Sequence, residues 1–431
     1  MDRRKFLARA AAALGGGILA AGRLESREEQ RGPPNSGRLK TEPVKNEPVK
    51  NEKGRKIAAV DVFPIQIPFC REFRTSGGLI GSPTMPGPHV YVRIVTDDGS
   101  AGWGEGRPAR TWSYETLETV VSTSRKYLGP ALVGRDPADI PGARAAMDRE
   151  IAPGSCGVGQ PVAKAAMDTA LWDLKGKLLG VNVAELWGRK PGDGQVLSFT
   201  VCGSSPDAIR AEVEEGLAAG YRNFNCKIGR AYEDDRREIE ALRRWTPEGA
   251  FLWADANRGY RLPEALRILP VLRDLGFGAL EQPLPDHHGH ELAELRKASG
   301  PVRILVDEAL GDVDDLRNFI RLGAIHGVTL KLGRMGGISP NLDVLEIARG
   351  AGLDIFLSGL TESGVALVAA SALGAAFGVK FPAALNGPQL LAESVLAGGW
   401  PVKEGKVVLR PRPGLGVDVD EAALGRLAVK V

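Results

Sequence analysis

Five charged side chains stand where strands are predicted to end in the second half of the chain. They are Lys227, Asp255, Glu281, Asp307 and Lys331, at spacings of 28, 26, 26 and 24 residues. Each spacing fits one strand and one helix, so all five are expected at the same edge of a parallel sheet. A single charged residue at a strand end is usually a solvated loop residue. Five in succession indicate a functional site.

The three carboxylates predict a metal site. Asp255, Glu281 and Asp307 would repel one another and raise their own pKa values unless a cation bound between them. Ligation by oxygen atoms alone suits Mg²⁺, with Mn²⁺ as the alternative, and does not suit Zn²⁺. We therefore expect these residues to bind Mg²⁺.

The two lysines predict acid–base chemistry on a small-molecule carboxylate. Such a substrate, bound at the metal, would lie between Lys227 and Lys331, and the metal would stabilise the enediolate that forms when the α-proton leaves. Burial and nearby cations lower the pKa of a lysine enough for it to act as a base. Two lysines on opposite sides favour racemisation or epimerisation. A dehydratase or cycloisomerase using the same enediolate and a non-catalytic carboxylate-binding barrel are the alternatives.

Strands and helices alternate after Gly188, which predicts a (β/α) TIM-type barrel over residues 188–397. An open doubly wound sheet is the alternative, but no Gly-rich phosphate loop follows the first strand. The eight predicted strands are 196–202, 223–228, 251–254, 279–281, 303–306, 327–330, 354–357 and 379–383. The seven predicted helices between them are 206–219, 234–245, 263–275, 291–299, 313–322, 340–351 and 365–377.

A different pattern precedes the barrel. Residues 57–187 begin with strands at 57–67 and 89–96 and a hairpin turn into 101–105, and continue with helices at 114–128, 140–150 and 160–179. This pattern predicts an α+β capping domain. Residues 398–431 return to short strands and are expected to rejoin it.

The N-terminal segment predicts export. Residues 1–22 carry Arg-Arg-Lys-Phe-Leu before a weakly apolar run, which resembles a twin-arginine signal peptide, and residues 23–56 are polar enough to be a disordered linker. A retained amphipathic N-terminal helix is the alternative. The expected location is the periplasm, without a stable membrane span in the mature protein.

The charge balance argues against nucleic acid as a partner. Residues 1–56 contain 14 Lys and Arg against 7 Asp and Glu, whereas the remainder contains 42 against 46. Residues 57–431 are therefore mildly acidic. Binding the phosphates of a nucleic acid needs clustered cations, which this balance does not indicate.

Several motifs resemble those of the muconate-lactonizing-enzyme subgroup of the enolase superfamily, within the mandelate racemase/muconate lactonizing enzyme family. The resemblance covers roughly residues 57–400. It implies Asp255, Glu281 and Asp307 as Mg²⁺ ligands, Lys227 and Lys331 as the acid/base pair, a cap whose loops close over the substrate, and a homo-oligomer. The motifs are 102–105 (GWGE), 170–177 (ALWDLKGK), 252–257 (LWADAN), 280–283 (LEQP), 306–308 (VDE), 330–337 (LKLGRMGG) and 359–363 (GLTES).

Two departures from the subgroup bear on the substrate. The usual Lys-x-Lys of strand two is Asn225-Cys226-Lys227 here, and the Asp-x-Asp by which the dipeptide epimerases bind an ammonium is Ala384-Leu385-Asn386. A free α-amino group is therefore not expected, which leaves an N-substituted amino acid or a hydroxy acid. The mandelate-racemase branch, which needs a His on strand seven, is disfavoured.

The residues expected to contact the substrate or support the site come from the barrel and the cap. Two capping loops are candidates: the Gly-rich loop 75–82, and the loop 107–112, in which an arginine is expected to meet a distal carboxylate. The predicted residues are Asn225, Asn257, Arg334, Glu362, Asn386, Thr75 and Arg110.

Overall fold

A computed structural model describes residues 54–154 and 158–431 of the 431-residue chain. The predicted signal peptide, and the predicted linker except for its last three residues, lie outside these ranges. Across the described ranges, no helix is long and apolar enough to cross a membrane.

The N-terminal part is an α+β module. Its strands are β1 (Ile57–Ile67), β2 (Phe73–Thr75), β3 (Gly78–Gly81), β4 (Gly87–Thr96) and β5 (Ala101–Gly106). β4 pairs antiparallel with both β1 and β5, and β2 pairs with β3 as a separate hairpin. The helices that follow are Arg110–Ser113, Leu117–Thr123, the π-helical turn Ser124–Leu128, Gly129–Leu132, Ile140–Glu150, Pro161–Leu179 and Val183–Leu186.

Helix Pro161–Leu179 packs directly on β5, and glycine makes this approach possible. A Cβ atom at Gly104 would collide with the carbonyl oxygen of Ala166, and one at Gly102 would collide with that of Ala170. The backbones therefore meet at a distance that only glycine allows.

The helix predicted over residues 114–128 is present from Leu117 onwards, with a π-helical turn over its last five residues, and begins three residues later than predicted. Tyr114 has a left-handed backbone (φ 59°) and ends the short helix Arg110–Ser113. Thr116 then begins a new helix with a capping box, in which its side chain and that of Thr119 each accept a backbone N–H of the other residue. Local capping by polar side chains outweighs the helical period of the apolar residues.

The barrel follows β6 (Gly194–Val196). The described residues give a parallel sheet of seven strands in sequence order. These are β7 (Ser198–Val201), β8 (Asn223–Lys227), β9 (Leu252–Asp255), β10 (Ala279–Glu281), β11 (Arg303–Val306), β12 (Gly327–Leu330) and β13 (Asp354–Leu357). The helices around them are Pro206–Ala218, Tyr232–Trp245, Leu262–Asp274, Gly289–Ala298, Val313–Leu322, Leu332–Met335, Ile338–Gly350, Val365–Phe377 and Gly387–Leu390.

Two residues take the place of the eighth strand, which was predicted over 379–383. Ala383 bridges Leu197 on one side, and Ala384 bridges Ser358 on the other. Both bridges are parallel, so this short segment closes the sheet into a TIM-type barrel. The segment before it does not form a strand, because Val379 still donates its N–H to Gly374 at the end of the preceding helix.

The C-terminal tail meets both parts of the chain. β14 (Val402–Lys403) and β15 (Lys406–Val408) form a small antiparallel sheet with β6, which directly precedes the first barrel strand. Beyond them, Ala428 bridges Ile65 of β1, and helix Glu421–Leu427 places Glu421 against Arg93 of β4. The tail therefore pairs first with β6 and only afterwards contacts strands β1 and β4 of the capping module, as the sequence predicted.

A buried carboxylate of β5 joins the capping module to the barrel. The side chain of Glu105 is 2% exposed and accepts N–H groups at the beginning of helix Val365–Phe377, which follows the seventh barrel strand. The first amides of a helix have no partner within the helix, and a carboxylate also favours the positive end of its dipole. The donors are Ser363 at 2.6 Å, Gly364 at 3.1 Å and Ala366 at 3.0 Å.

Replacing this carboxylate should loosen the contact between the two parts. We expect Glu105→Ala to lower the free energy of unfolding by about 3 kcal/mol, because it leaves several buried donors without an acceptor. Urea unfolding measures the change. The control Glu346→Gln, which removes a half-exposed ion pair with Arg189, should cost less than about 1 kcal/mol. Equal losses in the two variants would contradict this account of Glu105.

Candidate active site

Three of the five charged residues lie side by side at the carboxyl ends of β8, β9 and β10. Lys227 is the register partner of Asp255, and Asp255 is the register partner of Glu281. Successive residues of a strand alternate between its faces, so register partners at adjacent strand ends share one face. The sequence spacing therefore corresponds to real neighbours in space.

Asp307 and Lys331 continue the same rim. Each comes directly after a strand, β11 and β12 respectively, and the two side chains are 0% and 4% exposed. The Lys331 ammonium contacts one carboxylate oxygen of Asp307, and the guanidinium of Arg334 contacts the other. Arg334 also donates to the carbonyl of Thr329 at 2.7 Å. The structure thus brings the predicted residues Asp307, Lys331 and Arg334 together.

The other lysine, Lys227, forms an ion pair with a different carboxylate, that of Asp255. Lys227 Nζ lies 2.5 Å from Asp255 Oδ2, and its side chain is 12% exposed. Burial lowers the pKa of Lys227, but attraction to Asp255 and Glu281 outweighs burial, so its pKa is raised overall. This direction is opposite to the lowering expected from the sequence, because without a cation the neighbouring carboxylates dominate.

Glu281 lies between the two ion pairs in strand order and has no cation of its own among the described residues. Its Oε1 atom is buried without a hydrogen-bond partner there. Burial, and then repulsion by Asp255, raise the pKa of Glu281 to about 8. A buried oxygen atom in this state favours either a proton or a metal ion.

A fourth carboxylate, Glu308, was not predicted. Its Oε1 accepts the side-chain amide of Asn257 at 3.0 Å and the indole N–H of Trp112 at 3.1 Å. Burial raises the pKa of Glu308, with a further contribution from Asp255. Its position directly after Asp307 is the available sequence signal, although strand alternation alone would place adjacent residues on opposite faces.

Trp112 was also missed, although it belongs to a loop singled out in the sequence. Its ring centroid lies 4.3 Å from Lys331 Nζ, close enough for a cation–π interaction. The predicted residue of this loop, Arg110, is exposed at the start of a four-residue helix. The capping module therefore reaches the reactive rim through an aromatic side chain.

The Gly-rich loop forms the β2–β3 hairpin and touches the rim. Ser76 Oγ donates to the carbonyl of Asn257 at 2.9 Å, and the ring centroid of Phe73 lies 6.0 Å from Lys227 Nζ. The predicted residue Thr75 is half-buried and accepts the N–H of Gly77 at 3.2 Å. The hairpin thus covers the side of the barrel that carries Lys227.

Asn225 and Asn386 lie in a buried polar cluster next to β7. Asn225 Oδ1 accepts the hydroxyls of Ser198 at 2.9 Å and Thr200 at 3.2 Å, and Asn386 Nδ2 is 3.5 Å from Thr200 Oγ1. Considering the described residues alone, Asn225 Nδ2 and Asn386 Oδ1 are buried without partners. The subgroup motifs described above have a lysine and an aspartate at these two positions. Here they are replaced by an unpartnered N–H donor on Asn225 and an unpartnered oxygen acceptor on Asn386.

Glu362 lies just beyond the seventh barrel strand. It is 6% exposed, and its Oε2 accepts the N–H of Leu360 at 2.8 Å. Burial, with a smaller contribution from the charge of Glu105, raises the pKa of Glu362 to about 7 against the opposing effects of the Leu360 N–H and of Lys331. Glu362 is therefore close enough to Lys331 to respond to its charge.

The donor set fits a hard cation, although the carboxylates do not surround one as they stand. In the part of the chain that the structure describes, no three His, Cys, Asp or Glu side chains are placed to hold a metal ion together. Oxygen atoms of Asp255 and Asp307 are instead in contact with Lys227, Lys331 and Arg334. The buried, unpartnered oxygen of Glu281 and the all-oxygen character of the set suit Mg²⁺.

Comparison with known proteins identifies the family. Residues 83–188 match the model "Mandelate racemase / muconate lactonizing enzyme, N-terminal domain", and residues 208–423 match "Enolase C-terminal domain-like". The chain is 30% identical over 370 residues to a chloromuconate cycloisomerase of Cupriavidus necator, covering 85% of this chain and 97% of the relative. It is 28% identical over 377 residues to the N-succinyl-L-Arg/Lys racemase of Bacillus cereus, covering 87% and 98%.

A solved structure gives the same result. The dipeptide epimerase of Enterococcus faecalis, crystallised with Mg and the dipeptide L-Leu-L-Tyr, superposes with a TM-score of 0.78 at 25% identity, covering 84% of this chain and 99% of that one. Relatives of this chain are thus racemases, epimerases and cycloisomerases. The chain belongs to the mandelate racemase/muconate lactonizing enzyme family of the enolase superfamily.

Proposed function

We propose that the protein is a racemase or epimerase that removes and returns the proton on the carbon next to a substrate carboxylate. The observation that carries this proposal is the pair of buried lysines, Lys227 after β8 and Lys331 after β12, each contacting a different carboxylate of one rim. A protein that only binds carboxylates needs cations but has no use for two separately placed acid/base groups.

We place Mg²⁺ on Asp255, Glu281 and Asp307. When bound, the ion would stabilise the negative charge that develops on the substrate carboxylate as the α-proton leaves. The proposal is supported by the unpartnered oxygen of Glu281 and by the Mg found in the Enterococcus faecalis epimerase. A cation and the two lysines compete for the same oxygen atoms of Asp255 and Asp307.

The two lysines would act together, one of them neutral and the other protonated. One, as the neutral amine, takes the α-proton from one side of the substrate, and the other, as the ammonium, gives a proton from the other side. A bound cation would repel both ammonium groups and oppose the raised pKa of Lys227. Trp112 and Phe73 from the cap lie over the two lysines and would exclude water from the reacting carbon.

We propose N-acylated amino acids as the substrate class. The Bacillus cereus relative is named for N-succinyl-L-Arg/Lys, and the neutral cluster supports the same class in this chain. An amide offers one acceptor and one donor, which match the unpartnered Asn225 Nδ2 and Asn386 Oδ1. A free ammonium would find no carboxylate on Asn386.

Cycloisomerisation is the second candidate, because the Cupriavidus necator relative is a chloromuconate cycloisomerase. A cycloisomerase would use the same enediolate but needs proton transfer on only one side of the substrate. The two candidates therefore differ in whether both lysines are required.

We further propose that residues 1–22 direct the protein to the periplasm, that residues 23–56 link them to the folded part, and that the protein forms a homo-oligomer. The Arg-Arg-Lys-Phe-Leu sequence supports export. Cell fractionation of the full-length protein against a variant with both arginines replaced by lysine tests the location, and size-exclusion chromatography with light scattering tests the assembly.

Removing either lysine should abolish proton transfer. We expect Lys227→Met and Lys331→Met each to reduce racemisation of N-succinyl amino acids by about 10³-fold or more, while Mg²⁺ binding, measured by calorimetry, persists. Lys403→Met, on the exposed edge of β14, is the matched control and should retain full activity. Full activity in either active-site variant would refute the two-lysine mechanism. Dependence on one lysine alone would favour the cycloisomerase.

The ionisation of Glu281 should make metal-free stability depend on pH. Its pKa in the folded protein, about 8, lies above the ordinary value of 4.5, so the folded state holds an extra proton between these values. The stabilisation is present below pH 4.5 and is lost as pH rises through 8. Without metal, the wild type should therefore lose on the order of 3 kcal/mol relative to Glu281→Gln between pH 5 and pH 8.

Mg²⁺ provides the control for this measurement. It should stabilise the wild type more at pH 8 than at pH 6, because the ion binds the ionised carboxylate, and should stabilise Glu281→Gln much less. Thermal or urea unfolding with and without Mg²⁺ measures both differences. A pH-independent difference between the two proteins would show that Glu281 does not titrate in this range.

A further inference from the structure

Arg107 is a buried arginine with almost no partners. It follows β5 and is 2% exposed, and its Nη1 donates to the carbonyl of Pro108 at 2.7 Å. Among the residues that the structure describes, its Nε and Nη2 atoms have no hydrogen-bond partner, and no carboxylate lies within ion-pair distance. Burial accordingly lowers the pKa of Arg107 to about 10.

This state is costly for the free protein. Taking a guanidinium out of water without a carboxylate partner forfeits its hydration and returns little attraction. The other buried cations of the site are paired: Lys227 with Asp255, and Lys331 and Arg334 with Asp307. Among the described residues, Arg107 therefore differs from them in having no carboxylate within ion-pair distance, and two of its nitrogen atoms are unpartnered.

The charged neighbours of the Arg107 guanidinium extend to the strand ends that carry Lys331. Arg107 and Glu105 are two residues apart, and Glu105 reaches the segment directly after Glu362. Glu362 and Glu105 both attract Arg107 electrostatically, and Glu362 also responds to Lys331. Arg107 thus lies behind the loop of the seventh strand, on the side of the cap.

Gly87, His89 and Phe69 closely surround the guanidinium of Arg107. A Cβ atom at Gly87 would lie 3.2 Å from Arg107 Nη2 and 3.5 Å from His89 Nε2. Within the described part of the chain, His89 Nε2 is itself buried without a partner, while its Nδ1 is 3.0 Å from Glu105. The ring of Phe69 lies 6.0 Å from the guanidinium and packs against Gly81 at the end of the β2–β3 hairpin.

We propose that the guanidinium of Arg107 binds a second anionic group of the substrate, a carboxylate at the end far from the carbon that loses its proton. The proposal rests on the proposed function, since it places the reacting carboxylate at the lysine rim and the second one at the cap. The two free nitrogen atoms Nε and Nη2 present adjacent donors on one edge of the guanidinium, a geometry that fits both oxygens of a carboxylate. Arg107 is then a specificity-determining residue.

The experiment compares two ligands and three proteins. Calorimetry on the full-length, Mg²⁺-loaded protein measures the dissociation constants of N-succinyl-L-lysine and of its N-succinamoyl analogue, in which the distal carboxylate is an amide. We expect the wild type to bind the succinyl compound about 10- to 100-fold more tightly. Arg107→Met should remove this preference, and Arg107→Lys should retain part of it. Arg93→Met, which removes a cap arginine paired with Asp61 and Glu421, should preserve it.

Thermal unfolding without ligand separates a binding role from a structural one. Arg107→Met should raise the melting temperature by about 2–4 °C or leave it unchanged, because it removes an unpaired buried charge. Arg93→Met, which breaks ion pairs, should not raise it. A lower melting temperature for Arg107→Met together with an unchanged preference for the succinyl compound would overturn the proposal.

The binding measurement also keeps this proposal separate from the proposed function. Equal affinity of the wild type for the two ligands would overturn the role of Arg107 even if the α-proton exchanges. A preference lost in Arg107→Met would support that role even if no exchange occurs, and the absence of exchange would then count against the racemase alone.

Discussion

The structure depends on the balance of charge buried in the mouth of the barrel. Four carboxylates lie there, and ion pairs with Lys227, Lys331, Arg334 and the partly exposed Arg258 reach Asp255, Asp307 and Glu308 but, among the described residues, not Glu281. Carboxylates this close are stable as anions only when cations lie between them. Glu281 lacks such an ion pair among these residues, and its pKa rises to about 8. A divalent cation would provide the missing partner and alter the contacts of both lysines, so metal binding and acid–base chemistry are physically coupled.

The cap is fixed to this mouth by the same physical means. Glu105 of β5 accepts the first amides of the helix after the seventh strand, and Asp168 of the cap accepts Ser339 at 2.9 Å near the start of helix Ile338–Gly350. Both carboxylates are buried and satisfy helix N-termini of the barrel. These contacts determine where Trp112 and Phe73 stand relative to the lysines.

The parallel part of the fold could be predicted because one period per strand and helix leaves a strong trace in the sequence. The same period predicts that Lys227, Asp255 and Glu281 lie at one level, and their strand register confirms it. What could not be predicted depends on local competition or on packing across the two parts. Capping by Thr116 starts a helix three residues later than the apolar pattern indicates. The roles of Trp112 and Arg107 depend on interactions with residues far away in sequence.

The central claim is that one lysine removes the α-proton and the other returns it. The most direct test follows deuterium at the α-carbon when a single enantiomer of an accepted N-acyl amino acid is incubated with the Mg²⁺-loaded protein in D₂O. The account predicts that, early in the reaction, essentially every product molecule carries deuterium at the α-carbon, because the returned hydron comes from the second lysine, which never held the substrate's proton. Substrate-derived hydrogen retained at the α-carbon of the product would indicate a single base and contradict the account.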